Sequence, residues 1–184
     1  MASVTIGPVS DSIAISISDF RSKDITPTTL TKIKHFNPSS NTTYIIDLRD
    51  NNGGYIYEAI KFGALFVTKN ELITIKKSNQ EPVMITRPPD HPTIPANQLI
   101  ILINNQTASA AEATSYILQH HPNHMIIGTK SHGKKTIHST NINRPYQELM
   151  IPIITPHIPH DWAKYEDNET VYLKALALSH QRKR

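Results

Sequence analysis

Leu99 to Ser139 reads LIILINNQTASAAEATSYILQHHPNHMIIGTKSHGKKTIHS, and its reading decides the fold. It opens on an isoleucine-rich apolar run, as expected of a strand buried on both faces. A polar turn follows, Asn104-Asn105-Gln106-Thr107. Ala108 to Gln119 then carries apolar residues at helical spacing, and Met125 to Ile127 reads as a second strand. Gly128 to Lys134 is a glycine-bracketed turn that delivers a lysine. Strand, helix and returning strand recur elsewhere in the chain, so the expected class is α/β with a mainly parallel sheet.

Two residues of this stretch can do chemistry together. Ser109 sits where strand passes into helix, and Lys134 follows 25 positions later, about what one helix and one returning strand consume. A helix N-terminus surrounds a serine with free backbone N–H groups and a positive dipole end, which can stabilise an oxyanion. A lysine serves as base for such a serine only when it is neutral. The same residues also have a purely structural reading: Ser109 and Glu112 form an S-x-x-E capping box.

A second stretch shifts the balance toward chemistry. Tyr44 to Gly54, YIIDLRDNNGG, is a buried strand ending in Asp47-Leu48-Arg49, followed by a Gly-Gly turn that opens a helix. Asp-Leu-Arg-x-Asn-x-Gly-Gly, then Thr-Ala-Ser-Ala-x-Glu, then Gly-Lys resembles the S41 family of C-terminal processing, or tail-specific, proteases. The resemblance runs from about Ile13 to about Leu178, and it implies a ClpP/crotonase-like β-β-α spiral. It places Ser109 on the nucleophile and Lys134 on the general base. The oxyanion hole falls on the N–H groups of Ala110 and Gly53, with Gly54 keeping the turn open. Where the family often has a glutamine four residues after the lysine, this chain has His138, which the resemblance makes the orienting group. No cofactor and no metal are implied, and the implied partner is a polypeptide substrate.

The chain departs from the family pattern at Asn52, Ala111, His132, Lys135 and His138. The length leaves no room for the PDZ domain that many members use to choose substrates. Selection would then fall to a partner or to a PDZ domain outside this stretch. These departures define the alternative, a catalytically inactive S41-like module that binds a peptide or other ligand. A crotonase-type acyl-transfer enzyme would share the spiral and a backbone oxyanion hole, but the Ser-to-Lys interval argues against it and no acyl-CoA signature is present.

The chain has 184 residues, which fits one domain with a sizeable core. Three parts are expected: a loose arm over residues 1–12, a peptidase-like domain over 13–180, and the basic tail 181–184. The net charge of +4 is dispersed apart from Arg182-Lys183-Arg184, and no basic stripe with interleaved aromatics suggests nucleic acid. No apolar run is long enough for a membrane span. Met1 to Ser12 lacks the pattern of a signal peptide, although S41 proteases commonly work outside the cytoplasm. The absence of cysteine excludes disulfides, a thiol nucleophile and cysteine-bound zinc.

Further elements are expected along the chain. Ser12 to Ser18 alternates as a half-buried strand, and Thr26-Pro27 reads as a helix N-cap and first helical residue. Tyr55 to Val67 is helical, with Gly63 marking a close helix–strand contact. Leu72–Lys76 and Val83–Thr86 are strands, Arg87 to Ala96 is a proline-rich loop, and Gln147 to Ile154 is a strand. Asn168 to Leu178 is a final helix capped by Asp167. His120, His121 and His124 have the spacing of H-H-x-x-H, but Pro122-Asn123 breaks the helix a zinc site would need. His157 and His160 read as surface residues, and Asp47 as a structural partner of Arg49.

Overall fold

The computed structural model describes residues 3–77, 80–134, 136–137, 147–162 and 167–181. His138, Lys135, Ser78, Asn79 and the tail 182–184 lie outside the described residues. In chain order the elements are β1 (Val4–Val9), β2 (Ser12–Ile17), α1 (Ile25–Ile33), β3 (Thr43–Asp47), α2 (Ile56–Ala64), β4 (Glu71–Lys77), β5 (Val83–Thr86), β6 (Gln98–Ile103), α3 (Ala110–Leu118), β7 (His124–Gly128), β8 (Thr136–Ile137), β9 (Gln147–Leu149), β10 (Ile158–Pro159) and α4 (Asn168–Gln181).

Six strands form one sheet in the order β1-β2-β3-β6-β7-β10. Every pairing in it is parallel except β1 with β2. All six residues of β6 are buried, because helices cover both faces of the sheet centre and each side chain must be apolar or paired. The isoleucines of β3, β6 and β7 suit this place, since branching at Cβ stiffens a side chain that then packs well on a pleated surface. One face of the sheet is covered by α1, α2 and α3, the other by α4 and Trp162. A smaller antiparallel sheet, β5-β4-β9-β8, lies on the first side and lends Leu72, Ile75 and Leu149 to its core.

Aromatic packing fixes α2. The Tyr44 and Phe66 rings lie 5.2 Å apart, Phe62 and Phe66 5.6 Å, and Phe20 and Phe62 6.1 Å, all at tilted or edge-on angles. The carboxylate of Glu58 on α2, itself buried, accepts the Thr26 N–H at the start of α1. That bond satisfies one of the orphan donors of α1 from another helix.

Several expectations are corrected here. Residues 4–9 are not a loose arm: they form β1, paired with β2 from Val4↔Ile17 to Val9↔Ser12. Gly7 and Pro8 disguise the strand, and Pro8 is tolerated because β1 is at the sheet edge. The α1 N-cap is Asp24 instead of Thr26. Gly63 marks a contact between helices, not between helix and strand: a Cβ there would come 2.9 Å from Ile117 Cγ2 on α3. The strand expected over 147–154 stops at Leu149, and Ile158–Pro159 forms a further short strand.

Candidate active site

The site is assembled from loops at the carboxyl ends of parallel strands, where open α/β sheets place their ligands. The loop after β3 (residues 48–54) and the turn after β6 (residues 104–109) are laced together. Thr107 Oγ1 donates to Leu48 O at 2.8 Å, and Ala108 N–H to Asn51 O at 3.0 Å. Asp50 and Asn104 exchange a reciprocal pair of hydrogen bonds, 3.0 and 2.9 Å. Asn51 is fully buried, and its Nδ2 donates to Ile17 O at 2.8 Å while its Oδ1 accepts the Gly53 N–H at 2.9 Å. One carboxamide thus fixes the Gly-Gly turn to β2.

Gly53 abuts the start of α3. A Cβ on it would lie 3.0 Å from Ser109 Cβ, 3.0 Å from Ala110 N and 2.9 Å from Ala108 O, so no side chain fits. Gly54 is as tightly confined, with an imagined Cβ 2.3 Å from Phe20 C. The turn is framed by Phe20 N–H to Gly53 O and Tyr55 N–H to Phe20 O. Among the described residues the N–H groups of Gly54 and Ala110 donate to no protein acceptor, whereas that of Gly53 is committed to Asn51.

Ser109 occupies the N-cap of α3 with φ 55° and ψ −115°. Asn37, also at positive φ, lies in the ordinary left-handed well with ψ 58°. Ser109 lies outside that well, in a conformation that costs about 1–3 kcal/mol and that elsewhere presents nucleophiles on tight strand-to-helix turns. A capping serine needs only extended backbone, so helix capping alone does not account for this geometry.

Lys134 is half-buried and ends a loop anchored on both sides of Ser109. His132 N–H donates to Thr107 O at 3.0 Å, two residues before the serine. Gly133 N–H donates to Glu112 Oε1 at 2.7 Å, three residues after it. Glu112 is the hub: its Oε2 accepts the Ser109 N–H at 2.8 Å, and its Oε1 also accepts the Ser131 hydroxyl at 2.6 Å. Ser131 is locked in turn, its N–H bonded to Ile154 O and its Oγ accepting the Ile154 N–H, both at 3.0 Å. The reverse arm of the capping box is therefore present, but the same carboxylate also clamps the lysine loop to the serine turn. Nothing in S-x-x-E announces that second role. Asn51 and Glu112 are letters of the motifs quoted above, which do not tell what they bond; Ser131 lies outside those motifs and carries no sequence signal.

Asp47 sits apart from the serine. Arg49 Nε and Nη2 donate to its two oxygens at 2.9 and 2.6 Å, and Nη2 reaches Asn168 Oδ1 at 3.1 Å. Burial works against the charge of Arg49, but the Asp47 carboxylate outweighs it and holds the guanidinium above its ordinary range. Tyr172, bonded to Ser16 Oγ at 2.6 Å, is pushed up to about 12 by burial and by the nearby Asp47 charge. This network ties the end of β3 to α4. A cavity of about 730 Å³ opens beside it, lined by Arg49, Asn104, Gln106, Lys130 and Trp162 and reaching neither Ser109 nor Lys134.

His121 and His124, after α3, are engaged in backbone contacts. His121 Nε2 lies 3.3 Å from Ala96 O, and His124 Nδ1 lies 2.7 Å from His121 O. Among the described residues no three His, Cys, Asp or Glu side chains converge as a metal site would require. No described helix is long and apolar enough to cross a membrane.

With this geometry in hand, the chain can be compared with known proteins. The profile of peptidase family S41 matches residues 13–155. The carboxy-terminal-processing protease of Bartonella bacilliformis is 35% identical over 94 residues, 51% of this chain and 22% of that protein. The carboxy-terminal processing protease CtpA of Bacillus subtilis is 35% identical over 96 residues, 51% of this chain and 20% of its own length. The chain thus spans about a fifth of these curated relatives. Among solved structures, the photosystem II D1 C-terminal processing protease superposes with a TM-score of 0.68 at 16% identity, over 88% of this chain and 49% of that one. That superposition supports the α/β fold with its mainly parallel sheet.

Proposed function

Because the chain belongs to peptidase family S41, we propose that it is a serine endopeptidase of the C-terminal processing type, working through a Ser109–Lys134 dyad. The observation that carries this reading is the Glu112 clamp, which holds the serine turn and the lysine loop on one carboxylate. Lys134, neutral when it acts, takes the Ser109 proton as Oγ attacks the scissile carbonyl of a polypeptide. The developing oxyanion meets the N–H of Ala110 and the Gly-Gly turn. Within that turn the Gly54 N–H is already uncommitted, and the Gly53 N–H becomes available if it leaves Asn51. Lys134 then returns the proton to the leaving amine, and water resolves the acyl-enzyme by the same route in reverse. His138 would orient the lysine.

A fluorophosphonate probe tests the proposal directly. Labelling of Ser109 is expected in the wild type and should vanish in Ser109→Ala and Lys134→Ala. A folded protein that takes up no probe would refute the dyad and leave the alternative, a module that binds peptides without cutting them. His138→Gln reports on the orienting group: abolished turnover makes His138 a working third member, and improved turnover makes it a handicap beside the family's glutamine.

A further inference from the structure

The cavity beside the Arg49–Asp47 pair touches none of the reacting groups, yet it touches the stem of every loop that carries them. Arg49 and Asp50 lead into the Gly-Gly turn, Asn104 and Gln106 into Ser109, and Thr129 and Lys130 into Lys134. These stems gather because β3, β6 and β7 are parallel neighbours that end together. The volume, about 730 Å³, is ordinary for a ligand site, and the crevice beyond the carboxyl ends of parallel strands is where open α/β sheets bind ligands. The serine turn is bonded to both of the other loops, through Thr107 Oγ1 to Leu48 O and His132 N–H to Thr107 O. Among the described residues no hydrogen bond joins the 48–54 loop to the 129–134 loop directly. The lining carries both signs. Arg49 uses Nε and Nη2 on Asp47 and Asn168, which leaves the Nη1 donors unused among the described residues. Lys130 and Asp161 are exposed and in no ion pair among the described residues, and Asp50 is held by Asn104 Nδ2.

We propose that this cavity is a second binding site, for a short free peptide held by its terminal carboxylate at Lys130 and Arg49 and by its terminal ammonium at Asp50 and Asp161. A purely anionic ligand would meet the two acids, and a purely cationic one the two bases. A ligand with one charge of each sign answers both. The carboxamides of Asn105 and Gln106 offer donors and acceptors to the peptide bonds between its ends. A peptide seated on Arg49 and Lys130 at once ties the stem of the Gly-Gly turn to the stem of the lysine loop. That adds a link the loops do not make themselves, and it speeds reaction at Ser109. The coupling rests on the dyad reading above; the binding does not. Cutting a polypeptide close to its carboxyl end releases a fragment of this kind, so the site lets a product act back on the machinery that made it.

The probe is radiolabelled trialanine with free termini, in equilibrium dialysis against the full chain. It should bind saturably with a Kd of about 1 mM, the scale that ligand efficiency sets for a molecule of this size. Trialanine acetylated and amidated at its ends keeps the backbone and loses both charges, so it should bind at least about 10-fold more weakly. Lys130→Ala and Asp161→Asn should each weaken the free peptide about 10-fold. Both replace exposed side chains, so folding is spared. Fluorophosphonate labelling of Ser109 should run about 5-fold faster at saturating trialanine, the lower end of ordinary coupling between sites. In Lys130→Ala that acceleration should need about 10-fold more trialanine. Absence of binding, equal binding of the free and capped peptides, or wild-type binding in both variants overturns the site. Binding that leaves labelling unchanged, or slows it, overturns the coupling and keeps the site. Binding to a protein that never takes up the fluorophosphonate removes the dyad and the coupling with it, and again keeps the site.

Discussion

Replacing Glu112 by glutamine separates a helix cap from a clamp. As a cap, S-x-x-Q serves nearly as well as S-x-x-E, so the change should be close to neutral. As a clamp it cannot be. The carboxylate accepts from Ser109 N–H through one oxygen and from Ser131 Oγ and Gly133 N–H through the other. A carboxamide has one oxygen, so whichever way it turns, its NH₂ faces an N–H that has lost its acceptor. Hydrogen bonds to charged groups are worth about 1.5–3 kcal/mol, and Glu112 is buried, so water does not replace the lost partner. We expect a loss of about 2–4 kcal/mol in urea unfolding, followed by the fluorescence of Trp162, the sole tryptophan. Below the unfolding transition, fluorophosphonate labelling of Ser109 should slow about 100-fold, the cost of a misplacement near 1 Å. Wild-type stability together with wild-type labelling would refute the clamp.

Three further outcomes follow from other parts of the structure. Ser109→Gly should be more stable than Ser109→Ala by about 1–2 kcal/mol, because only glycine is at ease at φ 55°; equal urea midpoints would mean the turn is unstrained. Gly63→Ala should lower stability by about 1 kcal/mol and the melting temperature by about 3 °C. The overpacking against Ile117, stiff at χ1, exceeds the helix-propensity gain, and a stabilised variant would contradict the contact. Burial holds His121 below the ordinary histidine range, with Nδ1 accepting the Asn123 N–H, and His120 and His91 shift the same way. The unfolded chain then binds more protons on acidification, so stability is full above about pH 6.5 and falls below it. Urea midpoints at pH 7.5 and 5.5 should show that drop, with a smaller one in His121→Gln.

The fold was legible where burial leaves a chain little choice. Strands β3, β6 and β7 are covered on both sides, which demands unbroken apolar runs, and those runs stand out. Strand β1 was not legible, because an edge strand bears Gly7 and Pro8 without penalty and so looks like a turn. The short β10 pairs through only Ile158 and Pro159, too little for any periodicity to register. Of the site, local order was readable: a glycine turn, a serine at a helix start, a lysine after a second glycine turn. What joins them was not. Glu112 meets Ser131 and Gly133 across 19 and 21 residues, and Asn51 meets Ile17 across 34. Such meetings depend on how the sheet is wound, and no local pattern encodes them.

The lacing of the 48–54 loop to the 104–109 turn has a consequence for the life of the chain. Its bonds span more than 50 residues, Leu48 to Thr107 and Asp50 to Asn104. They can close only after β3 and β6 have found their shared register, and contacts so distant along the chain form slowly. A newly made chain therefore has no assembled nucleophile while its own unfolded segments lie within reach. On the proposed peptidase reading, the order of folding is itself a safeguard against self-digestion.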